Sequence, residues 1–369
     1  MRTRSSFPVT LLALGLFAGS LEAQQASKAR IVAATDSLAK AALASAPFAG
    51  LSVAVARGPE IILAKGYGLA NVEHGVPVTA QTVFRLGSIT KQFTAAAIVR
   101  LAQEGKLSFD DELTKYVPGY PTHGHRITVN HLLLHTSGIR NFTATYGERR
   151  RLDLTHDQLL ATFRTEPMDF ATGTKYAYSN SGYYLLGMII EKVSGQSYGD
   201  YLQSAFFTPL GMAGSSYCHN DPIIPHRSQG YGVKDGKLVN SEIISMNPPG
   251  AAGALCSTVG DLVTWTRALH GGKVLSPEFY AKMITPGKLN DGTTIGYAYG
   301  LQVGALENHP SIAHGGGISG FSTSLAYYGK DDLIVVVLNN TAPSPSIAQN
   351  VARAALQMPT VAARPRPTS

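Results

Sequence analysis

Gly50-Leu51-Ser52-Val53-Ala54-Val55-Ala56 is followed, after Arg57-Gly58-Pro59, by Glu60-Ile61-Ile62-Leu63-Ala64-Lys65-Gly66. Both runs are rich in β-formers and a Gly-Pro turn joins them, which predicts an antiparallel hairpin near the start of the chain. The far end mirrors it. Residues 297–303, 311–314, 321–328 and 333–338 read as strands, and 346–356 as a helix. Ahead of the hairpin, residues 26–46 have the pattern of an amphipathic helix rich in Ala, Leu and Lys. Between the two ends, roughly residues 82–288 are dominated by helical patterns and Gly/Pro-rich loops. The expectation is an α+β fold, with one antiparallel sheet formed from both chain ends and a mainly helical region inserted between them.

The composition is that of a globular chain, 44% hydrophobic and 15% charged over 369 residues. That length allows one large domain or two. The formal net charge is +7, yet no basic stripe, zinc module or aromatic-basic alternation is present, so no nucleic acid partner is expected. At most the charge supports a mild attraction to anionic cell-envelope material. Arg2 and Arg4 precede an apolar run over about residues 7–18, and the small residues Gly19, Ser20 and Ala23 follow. This is the layout of a secretory signal peptide, with cleavage after Ala23 or, alternatively, Ser20. The run is short of the roughly 20 apolar residues that cross a bilayer. The expected mature protein is periplasmic or secreted, with no stable membrane span. The expected divisions are a signal peptide over 1–23, one domain over 24–358 and a flexible Pro/Arg tail over 359–369. Within the domain the sheet region is about 24–81 and 289–358, and the helical region about 82–288. Cys218 and Cys256 would meet an oxidising compartment, where a disulfide is allowed. Two separate buried thiols fit as well, and the sequence does not choose.

Chemistry points to Gly87-Ser88-Ile89-Thr90-Lys91-Gln92-Phe93. Residues 88–103 are helical in pattern, with apolar positions at Phe93, Ala96, Ala97 and Leu101. Ser is a favoured N-cap, so Ser88 is expected in the first turn, facing unpaired N–H groups and the positive dipole end. Lys91 follows on the same face one turn on. Burial makes a lysine easier to deprotonate, and a neutral amine beside a hydroxyl activates a weak nucleophile. By itself the spacing has little specificity. Ser37-Leu38-Ala39-Lys40 shares it inside the N-terminal helix, where both residues read as surface.

Two further motifs add weight. Tyr178-Ser179-Asn180 precedes Gly182-Tyr183-Tyr184-Leu185-Leu186-Gly187, which reads as the start of a buried helix. A phenol and an amide two residues apart can face one cleft, although a buried Tyr that finds a partner near a helix cap fits the same residues. His314-Gly315-Gly316-Gly317 follows a strand. Glycines there let a substrate backbone lie along the sheet edge, and the N–H of Gly317 could join that of Ser88 in an oxyanion hole. His270-Gly271-Gly272 repeats the pattern after a helix over 261–269, where the glycines read as a C-cap.

S-x-x-K at Ser88, Y-x-N at Tyr178 and H-G-G at His314 stand in this order, with Leu132-Leu133-Leu134-His135-Thr136-Ser137-Gly138-Ile139 between the first two. The ordered set resembles the serine β-lactamase-related superfamily, on its class C side, which includes DD-carboxypeptidases, D-aminopeptidases and certain esterases. The resemblance spans nearly the whole chain after the leader. It implies a β-lactamase/transpeptidase-like fold and a serine hydrolase acting through an acyl-enzyme on small amide or ester substrates. Ser88 would be the nucleophile, Lys91 would assist its deprotonation, and Tyr178 would act as general base and acid. Asn180, His314, Gly316 and Gly317 would contact substrate, and the backbone N–H groups of Ser88 and Gly317 would form the oxyanion hole. No cofactor or metal is implied, and a monomer acting on a small-molecule or peptide substrate is expected. His314 departs from the Lys that many relatives carry in a K-T-G motif. A Lys would hold a substrate carboxylate by a fixed charge, whereas His is only partly protonated near neutral pH, which lowers the expectation of an efficient β-lactamase.

Other readings compete. His123, His125, His131 and His135 suggest a metal cluster at first, but His131 and His135 lack the Glu of H-E-x-x-H and no Cys or Asp completes a site. His135-Thr136-Ser137-Gly138 reads instead as a brace beneath the cleft. No G-x-S-x-G elbow is present, which argues against an α/β-hydrolase. A catalytically silent relative that binds cell-wall peptides or a protein would keep the pocket without the chemistry. The run Arg149-Arg150-Arg151 could attract an acidic group, but such runs are usually solvated surface.

Overall fold

The structure is a computed structural model describing residues 10–45, 47–144, 146–343 and 347–361, with side chains from Gln24 onward. The expected leader, 1–23, therefore lies outside the residues whose side chains are described, and so does the tail beyond 361. A long helix, α1 (Thr10–Ser45), leads into the strands. In chain order these are β1 (Gly50–Arg57), β2 (Glu60–Asn71), β3 (Val76–Pro77), β4 (Phe84–Arg85), β5 (Ser216–Tyr217) and β6 (Tyr231–Lys234). They continue with β7 (Lys237–Asn240), β8 (Leu255–Ser257), β9 (Gln302–Leu306), β10 (His309–Ile318), β11 (Phe321–Tyr328) and β12 (Leu333–Asn339).

Both chain ends contribute to one seven-stranded antiparallel sheet of order β3-β2-β1-β12-β11-β10-β9. The hairpin read from the sequence supplies its middle, with Val53 paired to Lys65 on one side and Val337 on the other. A period of two sorts β1 between two cores. Leu51, Val53 and Val55 join Leu333, Val335 and Val337 against α1 and the C-terminal helix Ala348–Ala355. Ala54 and Ala56, with Ile334, Val336 and Leu338, face the main core under the helical region. The centre of the sheet, β1 with β12, is thus buried on both sides, and truncating a fully buried side chain such as Leu51 to Ala costs about 2–5 kcal/mol.

Two strand boundaries differ from the sequence reading. Residues 297–301 form no strand beyond the bridge Tyr297–Gln302, because the chain turns at Gly300, with φ +69°. A Cβ on Gly300 would lie 2.4 Å from the Lys91 carbonyl oxygen, so this turn is pressed onto the next helix, α2 (Thr90–Gln103). At the other strand, β10 runs through the glycines to Ile318, since β11 supplies ladder partners for them.

α2 is the axis of the helical region. Every residue from Thr90 to Val99 is buried, as a helix enclosed on all sides requires. Phe93 stacks on Trp265 at 4.1 Å and meets Phe207 edge-on. Cys218 and Cys256 are two free, buried thiols in contact across the small sheet β4-β8-β5. Among the described residues no helix is long and apolar enough to cross a membrane.

Candidate active site

Ser88 lies in a 3-10 turn, Gly87–Ile89, directly before α2. The expected N-cap is absent: α2 starts at Thr90, and its capping residue Ile89 makes no side-chain hydrogen bond. The turn is tight because Gly87 has φ +55°, and because it sits against the sheet, where a Cβ on Gly87 would lie 2.9 Å from Gly317 N. The Ser88 hydroxyl is thereby left for Lys91 rather than for the helix end.

Lys91 is fully buried. Its Nζ lies 2.7 Å from the Ala252 carbonyl, 2.8 Å from Asn180 Oδ1 and 3.2 Å from Ser88 Oγ. None of these is a carboxylate. Burial alone pushes its pKa well below that of a free lysine. A neutral amine has two hydrogens and one lone pair. With the hydrogens on the two carbonyl oxygens, the lone pair is left for the Ser88 hydroxyl.

Tyr178 closes the other side. Lys91 Nζ sits 4.7 Å above its ring. Burial raises the phenol pKa, against a smaller downward pull from Ser88. The buried oxygen lies toward Ser88 without a fully formed hydrogen bond. The loop carrying it is held by His135, whose Nδ1 accepts from the Ser179 N–H at 3.1 Å. This ring packs against those of Tyr178, Tyr183 and Tyr297, with centroids 4.4–4.9 Å away. Burial, then the neighbouring Lys91 and His314, push its pKa well down. His135 thus braces the loop through Nδ1, while its buried Nε2 has no hydrogen-bond partner among the described residues, and His131 is the partner of Thr128 in a capping box. Asn180 begins the helix Asn180–Ser194, with Oδ1 on Lys91 and Nδ2 donating to Thr143 Oγ1 at 3.2 Å.

His314 does not join this group at the cleft. Its ring is buried, Nδ1 donates to the Gly315 carbonyl at 2.6 Å, and Nε2 faces the Tyr297 hydroxyl at 3.0 Å. Burial first, and the nearby Lys91 second, lower its pKa to about 4. With both nitrogens engaged and no charge near pH 7, it offers nothing of what a K-T-G lysine offers. Gly316 departs in another way. A Cβ there would lie 2.0 Å from the Leu86 carbonyl, so its missing side chain makes room for the Ser88 turn rather than for a substrate. Gly317 differs, because a Cβ there would meet nothing within 4 Å. The hairpin closes on the pair Ile318–Phe321. Alternation in an antiparallel ladder then turns the N–H of Gly317 away from β11, toward the Ser88 turn.

Ser88, Asn180 and Gly317 line a cavity of about 240 Å³. Its walls also hold Phe142, Thr143, Tyr146, Arg150, Ile244 and Ser245, of which only Arg150 belongs to a run singled out from the sequence. No local pattern marks Ile244, Ser245 or the Ala252 carbonyl as parts of a site. The Y-x-N and S-x-x-K motifs come from segments 89 residues apart, and Ala252 from 161 residues beyond Lys91.

Residues 35–358 match the family described as Beta-lactamase. The putative penicillin-binding protein PbpX of Bacillus subtilis is 30% identical over 302 residues, covering 82% of this chain and 73% of that protein. A D-aminopeptidase of Gluconobacter oxydans is 27% identical over 345 residues, 90% of this chain and 62% of its own length. The solved D-stereospecific amidohydrolase of Streptomyces sp. superposes with a TM-score of 0.75 at 28% identity, over 87% of this chain and 97% of that one. The chain belongs to the beta-lactamase family, and it is a serine hydrolase.

Proposed function

We propose that the protein is exported after loss of residues 1–23, works as a single chain, and cleaves small amides or esters through an acyl-enzyme on Ser88. The observation that carries this reading is the buried Lys91, 3.2 Å from Ser88 Oγ, its pKa held well below that of a free lysine by burial. Lys91 takes the hydroxyl proton as Ser88 Oγ attacks the scissile carbonyl carbon. The N–H groups of Ser88 and Gly317 receive the negative oxygen that forms. Tyr178, its phenol kept protonated by burial, passes a proton on to the leaving nitrogen or oxygen, and the bond to that atom breaks. Water then adds to the acyl-serine by the same groups in reverse, which releases the acid and returns the proton to Ser88. Asn180 holds Lys91 in line through Oδ1. Peptides or amides of D-residues are the substrate class that the names of the relatives support, and esters and β-lactams share the same chemistry.

The test is intact mass during incubation with a penicillin, with Ser88→Ala alongside. An adduct of the drug's mass on the wild type and none on the variant is the expected result. The same adduct on Ser88→Ala would refute the nucleophile. Absence of both adduct and turnover with a penicillin, a 4-nitrophenyl ester and a D-amino-acid amide would sink the enzyme reading.

A further inference from the structure

Among the described residues that line the cavity containing Ser88, Arg150 is the only charged one. It stands in the 3-10 turn Gly147–Arg151, and its carbonyl accepts from the Ser245 N–H at 2.8 Å, which fixes the turn to the opposite wall. The two basic residues nearest the reacting group, Lys91 and His314, are not among those that line the cavity. Lys91 is buried with Nζ on the Ala252 carbonyl, Asn180 Oδ1 and Ser88 Oγ, and both nitrogens of His314 are engaged, by Tyr297 and the Gly315 carbonyl. Glu242 lies between two guanidiniums. Its carboxylate is 2.6 Å from Arg150 Nε and 2.5 Å from Arg151 Nε. Among the described residues Glu242 is the carboxylate paired with Arg150, and nearly half of the Arg150 side chain stays exposed, which leaves it able to meet a second anion. Other charges nearby are Glu148, 3.4 Å from Arg151, and Asp153, which accepts from the Ser245 hydroxyl. Phe142, Tyr146, Ile244 and Ile318 make the rest of the wall largely apolar.

We propose that Arg150 is a specificity residue that takes a carboxylate, or an equivalent anion, on the substrate of Ser88. This rests on the acyl-enzyme reading. A guanidinium holds a carboxylate by paired, charge-assisted hydrogen bonds, and the apolar wall favours a hydrocarbon segment between that anion and the scissile carbonyl. The site therefore prefers amides or esters with an acidic group some distance from the bond that is cleaved. Glu242 competes for the same guanidinium and tempers the preference.

The experiment compares kcat/KM for two matched pairs. One pair is 4-nitrophenyl butyrate and 4-nitrophenyl hemisuccinate, with the carboxylate on the acyl side. The other is phenyl butyrate and 3-butyryloxybenzoate, with the carboxylate on the leaving group. In Arg150→Gln the anionic-to-neutral ratio of one pair is expected to fall tenfold or more, and the pair that falls shows on which side of the scissile bond the anion lies. Glu242→Gln, which frees Arg150, is expected to raise the same ratio. Ratios that change less than threefold for both pairs in both variants overturn the proposal. The same esters titrated into Ser88→Ala, with and without Arg150→Gln, separate the two readings. Lost preference for the anion in binding, without turnover in the parent, would leave Arg150 standing and remove the acyl-enzyme.

Discussion

The chain holds two S-x-x-K segments, and they could hardly differ more. In α1, Ser37 and Lys40 are both exposed. At the head of α2, Lys91 is fully buried and Ser88 half-buried. The three-residue spacing is the same, and in each case it sets serine and lysine on one face. The difference is solvent. Removal from water, with no carboxylate beside it, makes the Lys91 ammonium easier to deprotonate. A spacing therefore states that two groups can meet, and burial decides what they do when they have met.

The sharpest way to break this comparison is to remove each serine in turn. Ser88→Ala is expected to lower kcat/KM by about a thousandfold or more with the fold retained, and Ser37→Ala to leave it within about twofold. Steady-state rates on a 4-nitrophenyl ester, with a thermal melt of each variant, check both. The lysines come next. Lys91→Met should cost about 10²–10⁴-fold, while Lys40→Met should not. Because the neutral amine of Lys91 is the active form, kcat/KM should rise with pH through its lowered pKa and then stay level, since the Tyr178 phenol is pushed up by burial. Asn180→Asp places a carboxylate where Oδ1 now lies 2.8 Å from Nζ. That favours the ammonium, and the acid limb should move up by about one pH unit or more. An unmoved limb would show that Lys91 does not govern it.

A smaller effect distinguishes the two His-Gly-Gly segments. Burial lowers both His270 and His314 to about 4. A folded-state pKa below the unfolded 6.5 means that the stability these groups allow is fully present above pH 6.5 and is lost as pH falls toward 4. A shift of that size corresponds to about 3 kcal/mol at most for each. His314→Gln and His270→Gln should each flatten the loss of denaturation midpoint between pH 7 and 5, but only His314→Gln should also lower kcat/KM, through Tyr297 and the Gly315 carbonyl. Equal loss of activity in both would erase the distinction.

Much of the sheet was legible. The runs at Gly50 and Glu60 are rich in β-formers and joined by a Gly-Pro turn, and β11 begins and ends where its residues stop being β-formers. Residues 297–301 misled because Tyr297, Ala298 and Leu301 are buried apolar residues, and burial beneath α2 demands the same residue types as a strand. In the site, Ser88, Lys91, Tyr178 and Asn180 were legible as an ordered set, and the structure brings them within contact of one another. His314 and Gly316 could not be placed correctly from a motif. Whether a ring nitrogen faces a cleft or a tyrosine, and whether a missing side chain leaves space for substrate or for a carbonyl, depends on atoms from other segments.

Local order along the chain determined the hairpin, the helix of Lys91 and the spacing that lets Ser88 meet it, because these depend on residues a few places apart. Only the tertiary structure decided that Lys91 would be stripped of water and its pKa pushed down, that His314 would turn inward and that Arg150 would face the cleft. Desolvation, hydrogen-bond saturation and cavity shape come from neighbours brought in from afar, and no window of sequence contains them.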